Sequence, residues 1–266
     1  RKALQALRAE LDRREPLLLQ ALKQDLNKAP FEGYMTELGM IEEELHFHLR
    51  HLDGWCKPRR VPTPISQFPA RSIRQPEPYG VTLVMAPWNY PLQLSLVPMI
   101  GALSAGNCVI LKPSAYAPAC SQALAELIAA CLPRELVAVV EGGRAENQAL
   151  LEQPFDFIFF TGSPRVGRIV MQAAAENLVP GTLELGGKSP VIVARDAHLA
   201  TACERIVWGK LMNAGQTCVA PDYVLVDRSI QEEFLQGLQA AIRRFYGPDA
   251  QKSPDYGRIV NEGHIR

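Results

Sequence analysis

The sequence predicts an α/β fold: a mostly parallel sheet with flanking helices, followed by the start of a second α/β unit. Three observations carry this. Short apolar runs alternate with helix-length segments between residues 81 and 160. The stretches between those runs are long enough for right-handed crossovers, which join parallel strands. A further strand–helix–strand–helix pattern begins near residue 191.

The first third reads as helix. Leu4, Leu7 and Leu11, then Leu18, Leu22 and Leu26, recur at helical spacing. Pro16 is placed in the first turn of a second helix, where its missing N–H costs nothing. Residues 36–52 form another amphipathic helix, with Leu38, Ile41, Leu45, Leu49 and Leu52 on one stripe. Residues 58–78 read as a Pro-rich connection. Strands are expected at 81–86, 108–111, 136–140 and 155–160, with helices at 92–105, 119–131 and 146–153 between them. Such sheets bind ligands at the carboxyl ends of their strands. A strand at 191–194, a helix at 199–212, a strand at 223–227 and a helix at 230–246 follow.

Composition narrows the function. The 266 residues, 47% of them hydrophobic, suit a globular protein with a sizeable core. Basic and acidic residues number 28 each, so there is no general pull toward nucleic acid or an anionic membrane. The basic run Lys57-Pro58-Arg59-Arg60 reads as a solvated loop. Six cysteines are present without a C-x-x-C pair, which speaks against a zinc ribbon, a thioredoxin motif or a disulfide scaffold. A reducing, cytoplasmic setting is expected. No apolar run approaches membrane-spanning length and no signal peptide opens the chain. The first residue is Arg1 rather than Met, which leaves a targeting or anchoring segment open. His46 and His48 are two apart on a helix and do not share a face. No metal site is expected there or at His51.

Five segments carry candidate chemistry. Phe159-Phe160-Thr161-Gly162-Ser163-Pro164-Arg165-Val166-Gly167 runs from a strand through a glycine turn into a helix. Free N–H groups at such a helix start can receive a phosphate. It is neither a Walker loop nor a G-x-G-x-x-G fingerprint, and alone it could be an ordinary βα turn. Lys112-Pro113-Ser114 places a lysine at a strand's carboxyl end, able to donate to ribose hydroxyls or a phosphate. In isolation a surface lysine in a βα loop is the favoured reading. Glu184-Leu185-Gly186-Gly187-Lys188 sets a carboxylate beside two glycines that permit close backbone approach. That carboxylate could be a general base if burial raised its pKa, or simply a glutamate on a turn. Gly215-Gln216-Thr217-Cys218-Val219-Ala220-Pro221 puts Cys218 in a polar loop, the setting of an accessible thiol. Cys108, Cys120, Cys131 and Cys203 lie in apolar patterns, and Cys56 lies at a helix end. Asn89, in Pro87-Trp88-Asn89-Tyr90-Pro91, could stabilise an oxyanion or cap the next helix.

Taken together and in this order, the five segments resemble the aldehyde dehydrogenase superfamily. The stretch from Ala214 to Tyr223 and Phe245-Tyr246-Gly247 are similar to its class 3 branch, and the resemblance covers essentially the whole chain. It implies a Rossmann-like domain that lacks the usual glycine fingerprint. It implies Cys218 as the nucleophile, with Asn89 and the backbone N–H of Cys218 holding the oxyanion. Glu184 would activate the water that hydrolyses a thioester. Lys112 would bind the adenosine ribose, and Gly162 with Ser163 would lie by the pyrophosphate. Pro87, Trp88, Ser114, Gly167 and Leu185 would complete the cofactor site. NAD or NADP, a small-molecule aldehyde and, at full length, a homodimer are the implied partners.

The expected division is an NAD(P)-binding domain with N-terminal helices over residues 1–183 and the first part of a catalytic domain over 184–266. The family continues beyond this point with a second glutamate for the nicotinamide ribose and an oligomerisation segment. This segment alone is therefore expected to be a poor catalyst. The sequence departs from the family at Ala115, where a ribose-binding glutamate is usual. Two alternatives are a CoA-acylating relative, against which Glu184 speaks, and a non-catalytic truncated homologue, which the missing half favours for this segment while Cys218 and Glu184 favour an active parent.

Overall fold

A computed structural model describes residues 1–265. Helix α1 (Lys2–Leu26) is a single helix with Pro16 inside it, not two. An interior proline costs about 3 kcal/mol. The stripe Leu4, Leu7, Leu11, Leu18, Leu22 and Leu26 is buried along its whole length, and each such side chain contributes roughly 1.5–3 kcal/mol. Burial therefore outweighs the local break. Asn27, at φ 54°, ends α1 in the left-handed conformation.

Helix α2 (Pro30–Gly33), a π-turn at Tyr34–Leu38 and α3 (Gly39–Trp55) follow without interruption. Leu38, Ile41, Leu45 and Leu52 are buried. On α3, the His48 ring nitrogens bond to Ser104 Oγ at 2.7 Å and Glu44 Oε1 at 2.8 Å. The stretch read as a bare connection contains an antiparallel pair, β1 (Arg59–Val61) and β2 (Ser72–Arg74). Its side chains are mostly exposed, so no hydrophobic alternation announced it.

Strands β3 (Val81–Met85), β4 (Cys108–Lys112), β5 (Val137–Val139), β6 (Phe157–Gly162) and β7 (Gly181–Leu185) form one parallel sheet in the order β5-β4-β3-β6-β7. Val84, Val109 and Leu111 pack with α1, α3, α4 (Gln93–Ser104) and α5 (Pro118–Cys131) on one face. Leu83, Met85, Ile158 and Phe160 pack with α7 (Pro164–Glu176) on the other. A short helix, α6 (Arg144–Leu151), precedes β6. The chain order reverses between β3 and β6, which opens a crevice at the carboxyl ends of the strands. Glu184 lies in β7 rather than on a turn. This edge strand is half exposed and has no continuous apolar run, so it was not legible as a strand. It carries the large sheet to Leu185, past the expected boundary at residue 183.

A second parallel pair, β8 (Ser189–Val193) and β9 (Pro221–Val226), is joined through α8 (Leu199–Leu211) and followed by α9 (Gln231–Tyr246). Val193, Cys203 and Phe234 form its small core. On its other face Ile192, Tyr223 and Leu225 are exposed. No helix among the described residues is long and apolar enough to cross a membrane.

Candidate active site

The carboxyl end of the large sheet meets the amino end of the small one. β7 passes through Gly186-Gly187-Lys188 into β8, and β8 starts beside β9, which follows directly on the Cys218 loop. A Cβ on Gly187 would stand 2.5 Å from the carbonyl oxygen of Cys218. Only glycine permits that approach, and it brings the Glu184 segment to the Cys218 loop. Lys188 Nζ pairs with Asp222 Oδ1 at 3.2 Å across the same junction. Cys218 and Glu184 are both exposed. The burial expected around a general base is therefore not supplied by residues 1–265.

Asn89 approaches from the loop after β3. Its Nδ2 donates to the carbonyl oxygen of Gln216 at 2.8 Å, two residues before Cys218. A carboxamide has two N–H bonds. One is oriented by Gln216, and the other can serve an oxyanion beside the cysteine. Next to it, the Tyr90 hydroxyl shares a hydrogen bond with Thr217 Oγ1 at 2.5 Å. Burial pushes the Tyr90 phenol up to about 12, against the Thr217 hydrogen bond, so it stays protonated at neutral pH.

The cysteine loop has an unusual backbone. Asn213 and Ala214 at φ 53° and Gly215 at φ 82° are consecutive left-handed residues, and two of them are not glycine. Such strain persists only where neighbours over-determine it. Here the Asn213 backbone N–H donates to Glu32 Oε1 at 2.6 Å. Its Nδ2 donates to Asn89 O at 2.7 Å and Gln216 O at 3.3 Å. Burial raises the Glu32 carboxyl above its ordinary value, against the Asn213 N–H. Gln216 Nε2 donates to Asn213 O at 2.9 Å and Arg258 O at 3.0 Å, and its Oε1 accepts from Val260 N at 2.9 Å. Arg258 in turn donates to the carbonyls of Gln24 and Asp25 at the end of α1.

Beneath Asn89 lies an ion pair that the sequence reading missed. Lys28 Nζ and Glu37 Oε1 are 2.5 Å apart, and both side chains are fully buried. Lys28 Nζ also donates to Asn89 O at 3.1 Å and sits 4.0 Å from the centre of the Tyr90 ring. Glu37 Oε2 accepts from the backbone N–H groups of Leu92 and Gln93 at 2.8 and 3.1 Å, which caps the start of α4. The one signal in the sequence was the position of Glu37 beside the apolar stripe at Leu38.

The other candidates lie along the crevice. Lys112 is buried at the end of β4, with Nζ donating to Pro113 O at 2.8 Å and Gly142 O at 2.6 Å. Burial lowers its pKa, opposed by Glu146 and Glu141. An ammonium has three N–H bonds, so one remains for a ligand. Ser114 Oγ accepts from Tyr116 N at 3.3 Å, and Ala115 is exposed beside it. At the end of β6, a Cβ on Gly162 would meet the Phe160 ring at 2.6 Å. Ser163 caps α7 through Val166 N at 3.4 Å. Gly167 lets the first turn of α7 approach Leu185, whose Cδ2 would be 3.0 Å from an added Cβ. Thr161 Oγ1 is buried without a hydrogen-bond partner. Pro87 and Trp88 are half-buried after β3, and Trp88 packs on the large core. The structure thus brings Asn89 and the Cys218 loop into contact and sets the cofactor candidates along the ends of β3, β4, β6 and β7.

A parallel sheet with this strand order, and a crevice where the order reverses, is the doubly wound α/β architecture. More narrowly, the chain belongs to the aldehyde dehydrogenase family, whose model matches residues 1–266. It is 50% identical to human aldehyde dehydrogenase family 3 member B1, over 97% of this chain and 55% of that protein. It is 49% identical to the 4,4'-diaponeurosporen-aldehyde dehydrogenase of Staphylococcus aureus, over 93% of this chain and 54% of that protein. The chain thus spans about half the length of these curated relatives. A dog relative, 44% identical over 99% of this chain and 58% of its own length, is named dimeric NADP-preferring aldehyde dehydrogenase. Among solved structures, the substrate-bound state of Staphylococcus aureus AldH superposes with a TM-score of 0.95 at 47% identity, covering 97% of this chain and 57% of that one. A Mycobacterium tuberculosis aldehyde dehydrogenase complexed with NAD+ superposes with a TM-score of 0.86 at 33% identity, covering 98% of this chain and 54% of that one.

Proposed function

We propose that the protein carrying this chain oxidises an aldehyde to a carboxylic acid with NAD or NADP, through a covalent intermediate on Cys218. The observation that supports this best is the 2.8 Å contact from Asn89 Nδ2 to Gln216 O. It sets an oriented carboxamide beside an exposed thiol on a loop held from several sides.

The Cys218 thiolate attacks the aldehyde carbonyl carbon, and the new alkoxide accepts hydrogen bonds from Asn89 Nδ2 and the Cys218 backbone N–H. The resulting thiohemiacetal carbon loses a hydride and becomes a thioester. Glu184 takes a proton from water, the water adds to the thioester, and the carboxylic acid leaves with the thiolate restored. The crevice fits a nicotinamide dinucleotide: it offers the partnerless Thr161 Oγ1 and the third N–H of Lys112. Lys112 and Ser114 would hold the ribose, and Gly162 and Ser163 the pyrophosphate. Pro87, Trp88, Gly167 and Leu185 would line the crevice. When bound, the cofactor supplies the hydride acceptor. Either cofactor is supported by relatives, one named NADP-preferring and one complexed with NAD+. The first is also named dimeric, which supports a dimer for the complete protein. The test is NAD(P)H formation with an aldehyde, with and without CoA. Formation without CoA is expected. A strict need for CoA, or no formation with any aldehyde, overturns the proposal.

Glu184→Gln keeps the shape but cannot accept the water's proton. Rapid mixing should show a burst of NAD(P)H near one per site, then turnover slowed about 100-fold or more. An unimpaired steady state would remove Glu184 as the base.

Ala115 bears on cofactor choice. A carboxylate there would accept hydrogen bonds from ribose hydroxyls and repel a 2′-phosphate, whereas alanine does neither. The protein is expected to use NADP at a useful rate, and Ala115→Glu to lower the NADP/NAD ratio of kcat/KM by about two- to fivefold, the size of a screened surface interaction. An unchanged ratio would place cofactor choice elsewhere.

A further inference from the structure

We propose that Lys28 and Asn213 are positioning residues for the oxyanion contact: their donors converge on the backbone carbonyl of Asn89 and fix where its carboxamide points. This rests on the reading of Asn89 as an oxyanion donor.

The Asn89 carbonyl oxygen accepts from Asn213 Nδ2 at 2.7 Å and from Lys28 Nζ at 3.1 Å. The two donors come from separate segments, one from the left-handed cysteine loop and one from the connection after α1. The same Asn213 amide reaches Gln216 O at 3.3 Å, the atom that receives Asn89 Nδ2. Asn89, Asn213 and Gln216 therefore close a ring of hydrogen bonds that ties the β3 loop to the cysteine loop. Glu37 extends the hold: one carboxylate oxygen takes Lys28, and the other takes the N–H groups of Leu92 and Gln93. Residues 89–93 are thus gripped at both ends by one buried ion pair.

A buried ion pair is a weak source of stability, because desolvation offsets most of the attraction. This pair directs its remaining valences at the backbone around Asn89. That backbone has to be rigid, since an oxyanion donor acts only at about 2.7–3.1 Å from where the charge develops. An ångström of drift forfeits much of its effect. Neither Lys28 nor Asn213 reaches the reacting atoms in this account; both act through Asn89.

The test is a double-mutant cycle in the complete protein. Two probes are used: Asn213→Asp, which keeps the shape but replaces the donor with an acceptor, and Lys28→Met/Glu37→Gln. The paired change removes the charge and the Lys28 bond while leaving an acceptor for the start of α4. Each probe should lower kcat about 10- to 100-fold, a fraction of the 10²–10³ assigned to an oxyanion donor, with little change in KM for cofactor. In an Asn89→Ala background the same probes should lower kcat less than twofold, because the group they position is gone. Losses that multiply in that background, or no loss in the wild-type background, overturn the proposal. If Asn213→Asp does not fold, the paired variant decides alone. If the paired variant also fails to fold, the role is structural and the proposal falls. Asn89→Ala by itself reports on the underlying reading: full kcat in that variant removes Asn89 as an oxyanion donor, whatever the probes do.

Discussion

Replacing Cys218 with alanine is expected to abolish aldehyde oxidation in the complete protein, lowering kcat by about 10⁴-fold or more, as loss of a covalent nucleophile does. Cofactor binding should survive. Lys112, Gly162 and Ser163 sit on the large sheet and its helices, whereas Cys218 is carried by the loop before β9. NAD(P)H formation and a cofactor titration measure the two separately. Cys56, the other exposed cysteine, ends α3 outside the site, and Cys56→Ala should leave turnover within about twofold, as for most surface substitutions. Turnover by Cys218→Ala within tenfold of wild type would rule out the nucleophile assignment.

Lys28→Met alone should destabilise the fold by about 3–5 kcal/mol, because it strands the Glu37 carboxylate in a fully buried site. For a chain of this size that is a fall in Tm of roughly 6–20 °C. Adding Glu37→Gln should recover most of the loss, since the penalty lies in the uncompensated charge and the amide oxygen can still accept from Leu92 and Gln93. Urea unfolding of the three variants tests this. Equal losses in the single and paired variants would mean that packing, not charge, dominates at this site.

Much of the architecture could be read from the chain because apolar spacing reports burial directly. The runs at 81–86, 108–111 and 155–160 became strands of the large sheet, and the leucine stripes of α1 and α3 became its cover. What failed did so where burial is one-sided or non-local. Pro16 looked like a helix start because the local cost of a proline is visible and the packing that overrides it is not. β1, β2 and β7 have exposed faces and no apolar run. Gly187 could be read as allowing a close approach, yet only the fold shows that the approach is to Cys218 O. Lys28 lies in the connection after α1 and Glu37 in the π-turn, and each alone looks like a solvated charge. Their partnership depends on the π-turn that buries Glu37. Asn213 was passed over because its left-handed backbone, and hence its reach to Asn89, is a property of the folded loop.

The most direct test of the covalent account uses Glu184→Gln in the complete protein, mixed with an aldehyde and NAD(P), quenched in acid during the burst, digested and weighed by mass spectrometry. The account predicts an acyl group on the peptide carrying Cys218, in amount equal to the NAD(P)H released. NAD(P)H formed with no acyl group on that peptide, or with the acyl group on another residue, would contradict it.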